Sequence, residues 1–434
     1  MVDLSDRSAC RSLVERAYSA GIARVAPDEA VRRVLRRDGA ALVVDGERIP
    51  VSGRLVVAAI GKAATPMATA AAETAGDLID QGFLLTKEGH AEQPPAGLEV
   101  FEASHPVPDE RGIEASRRIL EAVGGLGADD VVVALISGGG SALFEVPADG
   151  LTLDDIQQST SILLRAGAPI QDLNAVRQEL SRVKGGGFRR AIGDACTISL
   201  ILSDVLGNPP EIIASGPTVP RTTNPKAGLD VLDRYGVRNA VPSAVVRHLE
   251  RTGERPDAPQ AGKRGLYRVV GDNEAFVAAV EDFFAQEGLT TERVWHEREG
   301  EAREQAHAWV EALESSAADV ILGGGEMTVT VRGDGAGGRN TEFALAAAIN
   351  LEAKRLTATV ASLASDGQDG SIDAAGGIVD ELTVRELREA DIEPADAMER
   401  SDSGGALAAI GALLVPGPTG TNVNDVYIGL RHAI

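Results

Sequence analysis

A chain of 434 residues with 44 % apolar content can build two or three domains with ample core. Lys and Arg number 42 against 65 Asp and Glu, and the resulting net charge of −23 disfavours nucleic acid as a partner. No apolar run reaches the roughly 18 residues of a membrane span, Cys10 and Cys196 form no metal or disulfide pattern, and the first residues read as an amphipathic helix rather than a leader, so a cytoplasmic protein away from the membrane is expected.

In chain order, residues 5–37 read as two helices, the second opened by Pro27. Segments 41–44 and 47–51 suit a hairpin across Asp45-Gly46. The apolar run 54–60 is a buried strand that Gly61-Lys62-Ala63 turns into a helix over 65–74. Further strands are expected at 82–86, 98–101, 131–136, 196–202, 267–270, 290–295, 320–322, 329–331, 357–363 and 412–415. Helices are expected at 111–123, 154–165, 170–184, 242–251, 273–287, 301–315, 341–352 and 383–390. This alternation predicts parallel α/β sheets covered on both faces. The polar, Pro- and Gly-bearing stretch 251–264 reads as a linker between domains at 1–255 and 265–415, with the tail from Pro416 crossing back to the first.

The densest chemistry lies in 320–342. There a short apolar run stops at Gly323-Gly324-Gly325, and Glu326, an alternating stretch and Gly337-Gly338-Arg339-Asn340 follow. Glycines after a strand let backbone N–H groups approach an anion, and Arg339 adds a permanently charged fork suited to phosphate. A hairpin with a flexible turn is the alternative. Ser137-Gly138-Gly139-Gly140-Ser141 sets a second group of amides beyond a strand's carboxyl end, where open parallel sheets bind ligands. Neither run spells a lysine phosphate loop, a GxGxxG fingerprint or a G-x-S-x-G nucleophile elbow.

Lys62, at the end of the strand over 54–60, is placed either to clamp a carboxylate or phosphate oxygen or to sit solvated in a turn. Asp204 comes directly off 196–202, a position for a base or a metal-binding carboxylate, in a loop stiffened by Pro209, Pro210 and Pro217. Asp366 and Asp369 make half of a calcium loop without its other ligands; Mg²⁺ bound to phosphates suits them better, since it usually takes one or two protein carboxylates. His90 and His105 lack metal-ligand spacing and read as structural or supporting, and Lys184-Gly185-Gly186-Gly187 reads as a helix end.

Together GKA (61–63), SHPVPDE (104–110), SGGGSAL (137–143), NAVRQELSRVKGG (174–186), LSDVLGNPPEIIASGPT (202–218), GGGEMTVTVRGDGAGGRNTE (323–342), SDGQDGSIDAAGGIVD (365–380) and GPTGTNVND (417–425) resemble the type-II glycerate kinases, whose C-terminal half is the MOFRL domain. The resemblance implies a Rossmann-like N-terminal domain, a smaller α/β C-terminal domain and an active site in the cleft between them. It implies transfer of the γ-phosphoryl group of ATP to D-glycerate with Mg²⁺, the usual product being 2-phosphoglycerate. The family's essential lysine and arginine match Lys62 and Arg339, and Asp204 matches an acidic position. Read with the chemistry above, catalysis is expected of these three, Asp204 as base or metal ligand, and substrate or nucleotide binding of Ser137, Gly138, Gly139, Gly140, Ser141, Gly323, Gly324, Gly325, Asn340 and Asn424. Glu326 and Asp366 become the metal candidates, and a homodimer the assembly to test. Two departures stand out. Gln178-Glu179 occupies the place of a basic Lys-His pair, leaving Arg177 alone there, and Asp402-Ser403-Gly404-Gly405 replaces an aromatic-rich stretch.

An NAD(P)H-dependent hydroxypyruvate reductase is the rival enzyme, but it would want a dinucleotide fingerprint with a downstream acid for the ribose. A non-enzymatic binding module would not need two cations and three strand-end carboxylates. Excess carboxylate with lysine at only positions 62, 87, 184, 226, 263 and 354 suits an acidic proteome and a surface adapted to concentrated salt.

Overall fold

The structure, a computed structural model, describes residues 4–220, 226–253 and 265–432. These fall into two compact units, Pro27–Val270 and a discontinuous one made of the residues up to Ala26 together with those from Gly271 onward. Most of the expected linker, 254–264, lies outside the described residues.

Within Pro27–Val270, β1 (Leu35–Asp38), β2 (Ala41–Val44) and β3 (Glu47–Pro50) form a small antiparallel sheet, with the hairpin turning where Asp45-Gly46 placed it. The main sheet holds β4 (Leu55–Ile60), β5 (Gln81–Lys87), β6 (Leu98–Ala103), β7 (Val131–Ile136), β8 (Cys196–Leu202) and β9 (Gly265–Gly271) in the order β6-β5-β4-β7-β8-β9. The pairings from β6 across to β8 are all parallel. Counted from β4 this is the doubly wound Rossmann order, in which the strand order reverses between β4 and β7 and ligands bind beyond those two strand ends. Every residue of β4, β7 and β8 is buried, because helices cover both faces of the sheet.

The other unit contains β10 (Thr291–Arg298), β11 (Val320–Gly325), β12 (Ala358–Ala364), β13 (Gly376–Asp380), β14 (Leu413–Leu414) and β15 (Asp425–Arg431), ordered β10-β11-β15-β12-β13-β14. Only β10 and β11 pair in parallel; the remaining pairings are antiparallel, so the expected parallel sheet is a mixed one. The cause is β15. The tail from Pro416, expected to return to the first domain, instead inserts this strand between β11 and β12 and runs against both. Its N-terminal residue therefore lies at the carboxyl end of its neighbours, in register with Gly325 on one side and Ala364 on the other.

The N-terminal helix, Arg7–Val25, also belongs to this unit rather than to the first domain. It packs on the helix Asn273–Gln286 so closely that a Cβ on Gly21 would lie 2.5 Å from the Phe276 ring. Arg7 bonds both Asp380 oxygens at 2.7 and 2.6 Å, and Tyr18 donates to the Ala364 carbonyl at 2.9 Å. Trp309, Phe343 and Tyr427 lie in the core, and the partly buried Trp295 packs against them, its ring 4.6 Å from that of Trp309. The helix Arg339–Lys354 is buried along most of its length, its alanines permitting close approach to β13, where a Cβ on Gly377 would meet that of Ala344 at 2.7 Å. Among the described residues no helix is long and apolar enough to cross a membrane.

Candidate active site

The first cluster sits at the reversal point of the Rossmann sheet. Gly61 leaves β4 at φ +124°, where a Cβ would lie 2.3 Å from the Ser137 hydroxyl, so only glycine lets the two strand ends meet. The turns are then stitched together: Lys62 N–H donates to the Gly138 carbonyl at 2.9 Å and Ala63 N–H to Ser137 Oγ at 3.0 Å. Ser137 is thereby a structural clamp that fixes where Lys62 starts. A Cβ on Gly138 would stand 2.2 Å from Asp204 Oδ2, and one on Gly139 would stand 3.1 Å from both Lys62 Cγ and His105 Cδ2. Lys62, His105 and Asp204 thus converge over the two glycines, each delivered from a different strand end or its following loop. Ser141 shares a 2.9 Å hydrogen bond with Ser215, which donates to Asn174 at 3.0 Å.

Electrostatics matches the geometry. Burial pushes the Asp204 carboxyl above its ordinary value, and the nearby Lys62 ammonium pulls it part of the way back. Burial also lowers the His105 imidazole below its ordinary value, an effect strengthened by Lys62, Lys87 and His90. The sequence reads His105 as structural or supporting, and its place within the SHPVPDE motif is the signal that sets it beside Lys62.

The second cluster gathers at the aligned ends of β11, β12 and β15. Arg339, first residue of its helix, grips Asp425 with two bonds, Nε to Oδ2 at 2.6 Å and Nη2 to Oδ1 at 2.9 Å. Its Nη1 lies 3.0 Å from Glu326 Oε1, and the other Glu326 oxygen accepts from Asn424 Nδ2 at 2.9 Å. Asp425 is 0 % exposed. The two carboxylates hold the guanidinium firmly in its charged form against the cost of its burial. Asp369 caps the same helix, accepting from the backbone of Asn340 at 2.9 Å and Thr341 at 2.7 Å. Asn340 is turned inward, with Ser362 donating to its side-chain oxygen at 2.6 Å. A cavity of about 680 Å³ opens beside Arg339 and Glu326, lined also by Met327, Val329, Gly337, Gly338 and Ser403.

Several sequence expectations change here. Gly323-Gly324-Gly325 is not a loop but the end of β11, an interior strand with neighbours on both sides, so its N–H groups serve the sheet. Its glycines answer to packing: a Cβ on Gly324 would lie 2.0 Å from Asn273 Oδ1, and one on Gly323 3.0 Å from Trp309. The strand expected at 329–331 is absent, only Thr328 making a bridge, to Glu301. Lys184 does not end a helix, since the preceding one stops at Leu180; it is 1 % exposed and paired with the buried Glu145. Gln178 donates to the Glu211 carbonyl at 2.9 Å, and a Glu179 oxygen accepts from Gly228 N–H at 3.1 Å, so both hold loops in place. Asp425, not among the expected site residues, proves to be the partner that orients Arg339. Among the described residues no three of His, Cys, Asp and Glu are arranged to hold a metal ion.

Strand order defines an α/β protein of two compact units, with cations and carboxylates gathered at the strand ends of each. Residues 13–250 match the family model described as a domain of unknown function, DUF4147, and residues 319–425 match the MOFRL family. A D-glycerate 2-kinase of Thermotoga maritima is 38 % identical, covering 98 % of this chain and 99 % of its own. A crystal structure of glycerate kinase from the same organism superposes with a TM-score of 0.89 at 37 % identity over 98 % of this chain and 100 % of that one. An Agrobacterium vitis protein named putative hydroxypyruvate reductase is 40 % identical over 92 % of this chain and 94 % of its own length. The chain belongs to the type-II glycerate kinases, the MOFRL family.

Proposed function

We propose that this enzyme transfers the γ-phosphoryl group of ATP to the C2 hydroxyl of D-glycerate, giving 2-phosphoglycerate and ADP. The observation that carries the reading is the likeness, over nearly the full length of both chains, to a D-glycerate 2-kinase. The two clusters support it, because phosphoryl transfer asks a protein for positioning and charge compensation more than for covalent help.

Asp204 accepts the proton of the attacking hydroxyl, its burial keeping the carboxylate basic enough for that task. The hydroxyl oxygen bonds to the γ-phosphorus as the bond to the β-phosphate oxygen breaks. Lys62 offsets the charge on the transferring group, and the amides of the Ser137–Ser141 turn orient its oxygens. Arg339 acts at the other cluster through the N–H groups that Asp425 and Glu326 leave over.

That second cluster carries two carboxylates against one guanidinium, an arrangement that would repel a bare triphosphate and suits one that brings a cation. Mg²⁺ would supply charge neutralisation on the phosphates, and Glu326 beside Arg339, with Asp366 in the loop after β12, would be the carboxylates to hold it. Glu326 is bonded by Arg339 and Asn424, and Asp366 accepts from the Gln368 N–H at 3.0 Å.

Phosphorus NMR of a mixture of protein, ATP and D-glycerate tests the whole reading at once. A phosphate ester resonance coupled to the C2 proton is expected. A C3 ester would correct the regiochemistry, and no ester at all would overturn the assignment. NADH oxidation with hydroxypyruvate is the control for the reductase reading, and none is expected, since the turns after β4 and β7 lack the dinucleotide fingerprint.

A further inference from the structure

The cavity beside Arg339 is walled by a stretch of chain that forms no strand and is nevertheless tied at intervals to its neighbours. Between β11 and the helix Arg339–Lys354, residues 326–338 make one bridge, at Thr328. Other ties run to side chains of nearby loops. Thr330 N–H donates to Glu301 at 2.9 Å and Arg332 N–H to Ser401 Oγ at 3.0 Å, while Ala336 N–H donates to Asp402 Oδ1 and Gly337 N–H to Ser371 Oγ, both at 3.1 Å. Two glycines allow the loops to come this close: a Cβ would lie 2.4 Å from Asp402 Cβ at Gly335 and 2.6 Å from Ser403 Oγ at Gly337. The walls are therefore set in advance of any ligand, which lowers the cost of binding one.

The enclosed volume of about 680 Å³ falls among the roughly 300–1,000 Å³ sites that hold cofactors and other ligands of that size, and far exceeds what a three-carbon acid fills. Met327, Val329 and Val331, alternate residues of the chain, supply an apolar wall. Among the described residues that line the cavity Arg339 is the one cation, against Glu299, Glu326 and Glu342. Glu342 is 1 % exposed and its charge is met by Arg303 at 2.7 Å; Glu326 is met by Arg339 at 3.0 Å. Glu299 is exposed, and among the described residues no arginine holds it.

These features set the chemistry of the occupant. An acidic lining with a single cation repels a ligand that is anionic along its whole length. Negative charge must gather at one end, beside Arg339. The rest must be neutral, with apolar area to set against the valines and hydrogen-bond donors for the free carboxylate. A nucleotide is laid out in this way: phosphates at one end, then a sugar whose hydroxyls donate, then a planar base with apolar faces. A three-carbon hydroxy acid could reach Arg339 but would leave most of the space to water.

We propose that this cavity is the nucleoside subsite, with the base against Met327, Val329 and Val331, the ribose hydroxyls donating to Glu299, and the phosphates leading out past Arg339 and Glu326. The proposal rests on the kinase reading for the presence of a nucleotide, so its test reads binding apart from turnover. ADP, inorganic tripolyphosphate and D-glycerate are each titrated calorimetrically, with Mg²⁺ present, into wild type, Val329→Trp and Val331→Asn. Thermal unfolding checks that the variants are folded. Val329→Trp fills the space and should weaken ADP by about tenfold or more. Val331→Asn, at a position 69 % exposed and so tolerant of change, should weaken it by a smaller factor, and it carries the comparison if Val329→Trp misfolds. D-glycerate, and tripolyphosphate, which has the charge without the nucleoside, should bind all three proteins alike. Unchanged ADP affinity in the folded variants, an equal loss of ADP and tripolyphosphate, a loss shared by or confined to D-glycerate, or no ADP binding by wild type would each overturn the proposal. A wild type that makes the ester while its variants keep full ADP affinity overturns this proposal alone. Selective loss of ADP in a protein that makes no ester overturns the kinase reading alone.

Discussion

Lys62 and Arg339 have the same formal charge and very different settings, and their removal should differ accordingly. Lys62 is anchored through its backbone, so Lys62→Ala should lower kcat by on the order of 10²–10³ with the fold intact. Arg339→Ala also strands Asp425, which is 0 % exposed, and should cost stability on the order of 3–5 kcal/mol in addition to turnover. Urea unfolding of the two variants beside their kinetics separates these outcomes. Asp204 makes a third case. Its folded-state carboxyl is raised by burial, so it contributes stability below the ordinary carboxylate range and withdraws it as pH rises through the raised value. Asp204→Asn should therefore melt higher than wild type at pH 8, lose that advantage near pH 4, and have little activity at either. A lower Tm at pH 8 would show that the Lys62 attraction outweighs the burial cost. The sequence showed Lys62, Asp204 and Arg339 as strand-end or helix-start residues. It could not show Asp425 as the partner of Arg339, because 86 residues separate the two.

At the scale of elements, β11 shows how one composition serves two physical ends. Three glycines after an apolar run look like a phosphate-cradling turn, because glycine both permits unusual backbone and admits close neighbours. The second property applies here, since Asn273 fills the space a Gly324 side chain would need. Asn273 also donates to the Val423 and Asp425 carbonyls, both at 2.9 Å, so it holds the strand that carries Arg339's partner. Gly324→Ala is expected to destabilise by about 1–3 kcal/mol in urea, through overpacking. A nucleotide-binding loop would behave differently, with KM for ATP raised and stability unchanged. Strands β4, β7 and β8 were legible because both faces are buried and their apolar runs are unbroken. Strands β13 and β15 were missed because Gly376-Gly377 and the mixed Asp425–Arg431 run show neither alternation nor an unbroken apolar stretch.

For the molecule as a whole, a net charge of −23 sets self-repulsion against the many arginine–carboxylate pairs on its surface. Exposed pairs contribute little each and weaken in salt, whereas repulsion spread over the whole surface is relieved by it. We expect Tm to rise between about 0.1 M and 2 M KCl, from a screening length of ~10 Å to one below ~3 Å. A flat or falling Tm would remove the case for a salt-adapted surface. By itself the sequence determined the α/β class, the strand-then-helix order of the Rossmann unit and the residue types at its strand ends, because burial periodicity and turn chemistry act over a few residues. Tertiary structure alone decided that the N-terminal helix joins the later unit, that β15 enters between β11 and β12, and that Arg339 meets Asp425. Such pairings depend on which distant surfaces bury each other best, and no local pattern records that.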